Sequence, residues 1–292
     1  MLFGALEAGG TKMVVAIGDE NGRIFEQKSI PTTTPAETMP LIVEYFKDKN
    51  IMALGVACFG PIDLNRDSST YGYITSTPKT AWKDYNIVGE LKDKLGIPIG
   101  FDTDVNGSLL GEITWGCAKG MTDAIYLTIG TGIGGGVMTN GKLLHGMLHP
   151  ELGHIRLGKL PADKGECICP YHEDCFEGLA SGPSIEKRWG KKAVELAENN
   201  EVWELEADYI GMALSNFCMT LSPSKIILGG GVMHQKQLFP LIRAAFAKYN
   251  AGYIKTEILQ DLDNYIVPAS LNDDQGIMGA IKLAMDEFER KM

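Results

Sequence analysis

The stretch AIYLTIGTGIGGGVM, residues 124–138, decides the fold of this 292-residue chain. Two apolar runs flank a glycine-rich turn, a pattern that is typical of a β-hairpin. The same arrangement opens the chain, where LFGALEAGGTKMVVAIG, residues 2–18, gives two apolar strands around the turn GGTK. A third strand and alternating helices and strands follow each hairpin. This order predicts an internal duplication, with an ordinary doubly wound α/β fold as the alternative.

The bulk composition is that of a globular protein, with 45% hydrophobic and 22% charged residues. Its length allows one large domain or two of ordinary size. A net charge of −10 argues against a nucleic-acid partner, which would need a cationic face. We find no signal peptide and no apolar run long enough to cross a membrane, so we expect no membrane partner and a cytoplasmic location. Thiols stay reduced there, which disfavours disulfides.

Glycine runs occur at Glu7–Lys12, Thr128–Gly136 and Leu228–Met233. None fits the P-loop, and the second lies between strands, unlike a dinucleotide fingerprint. We expect the two hairpin turns to face each other across a cleft. Their backbone amides and the hydroxyls of Thr11 and Thr131 would then hold phosphates from both sides. The third run follows a strand and suits close packing beside a purine ring.

The stretch FDTDVNGSLLGE places two aspartates where a strand ends and a helix is expected. Carboxylates at the C-terminal end of such a strand point into the ligand crevice of an α/β layer. Asp104 is the candidate to accept a proton from a substrate hydroxyl, as phosphoryl transfer to an alcohol requires. The alternative is that Asp102 or Asp104 only caps the helix.

Thiols and imidazoles cluster in KGECICPYHEDCFEG, residues 164–178. Five side chains could contribute to a tetrahedral zinc site that needs four. The prediction is a structural zinc held by His154, Cys169, His172 and Cys175, with Cys167 as the alternate ligand. A redox centre is disfavoured because His172 has no place in a dithiol motif.

Taken together, these motifs resemble the ROK family of sugar kinases over residues 3–285, and most closely its zinc-containing bacterial fructokinases. The resemblance rests on EAGGTK, GPID at Gly60–Asp63, DTDVNG, LTIGTGIGGG, HPELGH, CICPYHEDCFEGLASGP and ILGGGV, in that order. It implies a duplicated actin-like ATPase (ribonuclease H-like) α/β fold with two lobes around a cleft. It also implies ATP-dependent phosphorylation of a hexose. The preferred hexose would be D-fructose, which would yield fructose 6-phosphate, with mannose or glucose as alternatives.

The resemblance also assigns roles to residues, beginning with Asp104 as the catalytic base. The residues that it places at the sugar are Gly60, Thr103, Asp104, Glu151, His154 and Glu177. Those that it places at the nucleotide are Gly9, Gly10, Thr11, Lys12, Thr131, Gly132, Gly182, Pro183, Gly229, Gly230, Gly231, Val232 and Met233. Thr103 stands where the family usually has Asn or Asp, a departure that affects one contact with the sugar. Glu7 stands where Asp is frequent, and its longer side chain would affect how the waters of the magnesium bound with ATP are held.

A homodimer with ATP, magnesium and zinc as cofactors is the family pattern. The family also contains sugar-responsive repressors, but these carry a DNA-binding segment before the first glycine turn, and only six residues precede Glu7 here. We expect an N-terminal lobe over 1–116, with the closing helix 279–292 packed back on it. The C-terminal lobe would span 117–278 and carry the zinc insertion at about 150–180.

Overall fold

The computed structural model describes all 292 residues, which form two compact units. Unit 1 comprises Met1–Gly120, Leu143–His149 and Ser270–Met292, and unit 2 comprises Met121–Lys142 and Pro150–Ala269. None of the helices combines the length and the hydrophobicity that crossing a membrane requires.

The regular elements alternate between strands and helices in each half of the chain. The strands are β1 (Leu2–Ala8), β2 (Lys12–Asp19), β3 (Ile24–Pro31), β4 (Leu54–Cys58), β5 (Tyr73–Ile74), β6 (Tyr85–Asn86), β7 (Ile99–Thr103), β8 (Ala124–Ile129), β9 (Ile133–Thr139), β10 (Lys142–Leu143), β11 (Ile226–Gly229) and β12 (Ile266–Pro268). The α-helices are α1 (Pro35–Phe46), α2 (Ile87–Leu95), α3 (Asp104–Thr114), α4 (Phe176–Ala180), α5 (Gly182–Trp189), α6 (Asn200–Leu221), α7 (Leu238–Asn250), α8 (Leu262–Tyr265) and α9 (Gln275–Lys291).

Each unit is built on a five-stranded sheet, and the two sheets have the same topology. The strand order is β3-β2-β1-β4-β7 in one and β10-β9-β8-β11-β12 in the other. In both, an antiparallel glycine-turn hairpin comes first, and parallel strands are then added beside its first strand. The repeat confirms the predicted internal duplication and the duplicated actin-like α/β fold.

The core of unit 1 lies around its central strands, which the sequence marks as apolar runs. β4 and β7 are buried along their whole length, as expected for parallel strands covered on both faces. Helix α9 contributes a buried stripe that includes Ile277, Ile281 and Ala284 and packs on β1, β4 and α3. The residues at the C-terminal ends of β4 and β7 are therefore held by a rigid, packed layer.

The start of α3 decides against the alternative that Asp102 or Asp104 caps this helix. The helix begins at Asp104, and its N-cap is Thr103, whose hydroxyl accepts a hydrogen bond from the Asn106 amide at 3.1 Å. The aspartate-cap alternative was therefore wrong. A threonine hydroxyl also caps helices, although less favourably than an aspartate, so the two flanking aspartates were the more obvious candidates.

Candidate active site

Asp102 lies near the end of β7 in unit 1, where both of its carboxylate oxygens have partners. Its Oδ1 accepts hydrogen bonds from the Thr103 amide at 2.8 Å and from Nδ2 of Asn106 at 2.7 Å. Its Oδ2 lies 2.9 Å from Nε2 of His145, and only 5% of its side chain is exposed. The hydrogen bond to Asp102 raises the pKa of His145 against the opposing effect of burial. Asp102 is thus a structural anchor.

Asp104 is the first residue of α3 and is only partly buried. Its Oδ1 accepts a hydrogen bond from the amide of Val105 at 2.9 Å. Amides at a helix N-terminus stabilise an anion, which suits a carboxylate that must be ionised to accept a proton. Of the two aspartates in FDTDVNG, Asp104 is the one with a position and an exposure that suit a general base.

Glu7 lies at the end of β1, next to other carboxylates. Its withdrawal from water raises its pKa to about 7, and the charges of Asp104, Asp274 and Asp273 add to this while Lys12 opposes it. Glu7 thus offers carboxylate oxygens, the ligands that magnesium prefers, in a region where negative charges oppose its ionisation.

The first glycine turn, at Gly9–Lys12, is tied to the end of β3. The Thr32 hydroxyl donates to the carbonyl of Gly9 at 2.8 Å, and the Thr32 amide donates to the carbonyl of Thr11 at 3.1 Å. Thr11 and Lys12 are both exposed. The turn is therefore fixed from one side and open to a ligand on the other.

His149 was missed by the sequence reasoning, although it stands in the motif HPELGH. It is only 8% exposed, and its Nε2 accepts a hydrogen bond from the amide of Ile62 at 3.4 Å. A Cβ at Gly60 would lie 3.1 Å from the same nitrogen. Gly60, predicted at the sugar, thus lies against His149. The signal that could have found this residue is a histidine two residues before Glu151 in a chain with only five histidines.

The four predicted metal ligands come together in unit 2. Ligand atoms of His154, Cys169, His172 and Cys175 all lie within 4.8 Å of one another. The Cys169 sulfur lies 3.5 Å from Nδ1 of His172 and 3.9 Å from Nδ1 of His154, and the Cys175 sulfur lies 3.7 Å from Nδ1 of His154. Bonds of about 2.0–2.3 Å to a tetrahedral zinc require ligand atoms roughly 3.5 Å apart, so this donor set fits zinc.

The fifth candidate, Cys167, lies outside this set. Its thiol donates to the backbone carbonyl of His172 at 3.1 Å. Burial raises the pKa of the Cys175 thiol to about 12, and the neighbouring thiols of Cys169 and Cys167 add to this. The raised pKa favours the protonated thiol, whereas a bound divalent cation would favour the thiolate, because metal ions bind the deprotonated form.

Glu177 lies between the metal-ligand set and the second glycine turn. Its Oε1 is 3.9 Å from Nε2 of His154, the nitrogen that does not face the thiols. Its Oε2 accepts a hydrogen bond from the amide of Ile133 at 2.9 Å, and a Cβ at Gly132 would lie 2.7 Å from that oxygen. Glycine at 132 therefore makes room for this carboxylate. Glu151 is exposed at the start of the short 3-10 helix that ends with His154.

The candidate nucleotide residues of unit 2 gather around the turn that contains Gly130. The amide of Gly182 donates to the Gly130 carbonyl at 2.7 Å, and Pro183 follows in the first turn of α5. Gly230 has a φ of 90°, which favours glycine. It precedes a 3-10 helix, Gly231–His234, in which Val232 and Met233 are buried. Gly229 is the last residue of β11, and Thr131 is exposed at the tip of the hairpin.

Comparison with known proteins shows the family to which this chain belongs. The model of the ROK family matches residues 3–287, so this chain belongs to the ROK family. It is 48% identical to a fructokinase from Pediococcus pentosaceus, over 97% of this chain and 98% of the relative. It is also similar to the crystal structure of a ROK hexokinase from Thermus thermophilus, with a TM-score of 0.81 and 26% identity over 99% and 100% of the two chains. A ROK glucokinase from Streptomyces griseus, in complex with glucose and AMPPNP, matches with a TM-score of 0.77 and 25% identity over 98% and 100%.

Proposed function

We propose that this protein is a fructokinase, which transfers the γ-phosphoryl group of ATP to D-fructose and yields fructose 6-phosphate. The observation that carries the proposal is the identity of 48% to a fructokinase over nearly the full length of both chains. Identity to the hexokinase and to the glucokinase is 26% and 25%. Fructose is therefore favoured over glucose as the acceptor.

Within unit 1, Asp104 is the proposed base. It takes the proton of the sugar hydroxyl while the hydroxyl oxygen attacks the γ-phosphorus. Asp102 is bound to His145 and Asn106 and holds the β7–α3 corner in place. Because Asp102 is held in these contacts, Asp104 is the aspartate of the two that is proposed to transfer the proton.

The turn Gly9–Lys12 is proposed to hold ATP phosphates in unit 1, through its amides, the Thr11 hydroxyl and the Lys12 ammonium. Magnesium bound with the nucleotide offsets the charge of the phosphate oxygens. Glu7 is proposed to hold a water of that ion, because burial and the charges of Asp104, Asp274 and Asp273 raise its pKa, and a nearby cation would offset both effects.

In unit 2, we propose that zinc binds His154, Cys169, His172 and Cys175 and serves a structural role. Zinc on Nδ1 of His154 would fix the proton on Nε2 and direct that nitrogen outward. A separation of 3.9 Å between this nitrogen and Oε1 of Glu177 leaves room for one sugar hydroxyl to hydrogen-bond to both. Glu151 is the third proposed sugar ligand in this unit.

The adenosine is proposed to lie along the Gly229–Met233 segment, with phosphate oxygens near Thr131, Gly132 and the Gly182–Pro183 start of α5. The supporting observation is that Gly130 lies next to both segments: its carbonyl accepts from Gly182, and a Cβ at Gly130 would lie 3.7 Å from the amide of Gly231.

A coupled assay of ADP release against fructose, mannose, glucose and N-acetylated hexoses tests the function. We expect kcat/KM for fructose to exceed the value for each other sugar by at least about tenfold, a preference of about 1.4 kcal/mol. A higher kcat/KM for glucose or mannose would contradict the fructokinase assignment. Absence of turnover with every sugar would contradict the kinase assignment.

A further inference from the structure

Lys79 lies over the first glycine turn, outside every motif that the sequence singles out. A Cβ at Gly10 would lie 2.5 Å from Cε and 3.2 Å from Nζ of Lys79. Gly10 is not among the residues of the chain with a positive φ, so its backbone conformation does not itself demand glycine. What glycine provides at this position is room for the end of the Lys79 side chain.

The backbone of Lys79 is held firmly relative to the turn. Its carbonyl accepts a hydrogen bond from the amide of Trp82 at 2.8 Å, and Trp82 is only 1% exposed. The Trp82 indole donates to the carbonyl of Thr33 at 2.8 Å. The preceding residue, Thr32, makes the two hydrogen bonds that fix the turn. A short chain of bonds therefore joins the Gly9–Lys12 turn to the segment that carries Lys79.

Lys79 takes no part in the salt bridges of unit 1. Those bridges join the N-terminal ammonium to Glu20, Lys49 to Glu26, Arg66 and Arg290 to Glu287, His145 to Asp102, and Lys282 to Asp286. The Lys79 ammonium instead lies beside Gly10, in the turn that is proposed to hold phosphates. A cation beside an anion-binding turn is suited to stabilise charge on a transferring phosphoryl group.

We propose that Lys79 is a catalytic residue whose ammonium contacts the oxygens of the γ-phosphoryl group during transfer. The inference rests on the proposed kinase function and adds a residue to it. As the bond from the sugar oxygen to phosphorus forms, the bond from phosphorus to the β-phosphate oxygen breaks and ADP leaves. The hydroxyl proton goes to Asp104, and Lys79 keeps its own proton throughout.

The first test compares Lys79→Met with Lys83→Met, a control in the same segment whose lysine is exposed. We expect Lys79→Met to lower kcat about 10²–10³-fold, as for the loss of one preorganised donor. The fructose KM and the ADP dissociation constant from calorimetry should stay within about twofold, because neither involves the γ-phosphoryl group. Lys79→Arg should recover part of the loss, and Lys83→Met should match the wild type.

The proposal is overturned if Lys79→Met keeps more than about a third of wild-type kcat. It is also overturned if ADP affinity falls as much as kcat, since Lys79 would then only bind the nucleotide in its ground state. These outcomes are read as ratios to the wild type, measured on its best acceptor sugar. The wild-type measurement itself decides the proposed function, so the two failures are distinguishable.

Gly10→Ala provides a second, independent variant. Its methyl group would occupy the space of the Lys79 side chain, so kcat should fall, and the double variant with Lys79→Met should lose little more than Lys79→Met alone. Fully additive losses in kcat would show that the two residues act separately and would contradict the proposal.

Discussion

His145 Nε2 lies 2.9 Å from Asp102 Oδ2, and this contact distinguishes Asp102, near the end of β7, from Asp104, which follows that strand. The other oxygen of Asp102 is occupied by an amide and by the Asn106 side chain. Asp104, two residues later, stands at the start of α3 and remains partly exposed. The contact with a histidine from a distant segment thus distinguishes the anchored Asp102 from Asp104, the proposed base.

Asp104→Asn should lower kcat by about 10²–10⁴, the usual cost of losing a general base. The substitution removes a proton acceptor but keeps the shape, so ATP affinity and the melting temperature should barely change. Steady-state kinetics and calorimetry measure both effects. Retention of more than about a tenth of wild-type kcat would refute the role of Asp104.

His145 gives a stability effect that depends on pH. Its pKa is raised in the folded state, so its contribution is fully present below the unfolded pKa of about 6.5 and is lost as pH rises through the folded value. The melting temperature of His145→Gln should therefore fall furthest below that of the wild type near pH 6. The difference should shrink towards pH 9. Because the His145 side chain is 38% exposed, the effect should stay below about 1 kcal/mol. A difference that is constant over this range would contradict the ion pair.

Glu206 should limit stability at neutral and alkaline pH. It is 1% exposed, its Oε1 has no hydrogen-bond partner, and burial raises its pKa well above the usual value. A raised carboxyl pKa means that its stabilising contribution is full below the unfolded pKa of about 4.3 and is lost as pH rises. Glu206→Gln should therefore melt at a higher temperature than the wild type at pH 8, with a smaller gain at pH 5. The exposed neighbour Glu204→Gln is the control, and an equal gain from both variants would contradict the explanation.

Zinc should be present at one ion per chain, as measured by mass spectrometry of protein purified without chelators. Cys175→Ser should lose it, because Cys175 is a buried member of the ligand set, whereas Cys167→Ser should retain it. Losses around a metal-bound histidine typically cost about 10–100-fold in affinity or activity. We therefore expect Cys175→Ser to raise the fructose KM more than the ATP KM.

Each part of the zinc prediction can fail separately. Full zinc occupancy in Cys175→Ser would contradict the ligand set. Loss of zinc in Cys167→Ser would show that Cys167 binds the ion in place of one of the four. Zinc loss with an unchanged fructose KM would contradict only the link from His154 to the sugar.

The sequence by itself determined the features that depend on local backbone chemistry. Glycine turns between apolar runs predicted both first hairpins, and the repeated element order predicted the duplicated fold that the two matching sheets confirm. Closely spaced thiols and imidazoles predicted a metal site, because the ligands come mostly from one short loop. Asp104 was predicted as the base because a carboxylate at the end of a buried strand is a local pattern.

The tertiary structure decided the relationships that join distant segments. Spacing could not choose between Cys167 and Cys169, but folding directs the Cys167 thiol to a backbone carbonyl. The sequence did not show that His149 would accept a hydrogen bond from an amide 87 residues away, or that Lys79 would pack on Gly10. Such contacts arise when packed layers bring chain segments together. Local propensity and hydrophobic periodicity encode which layer a segment joins, but not which side chains meet there.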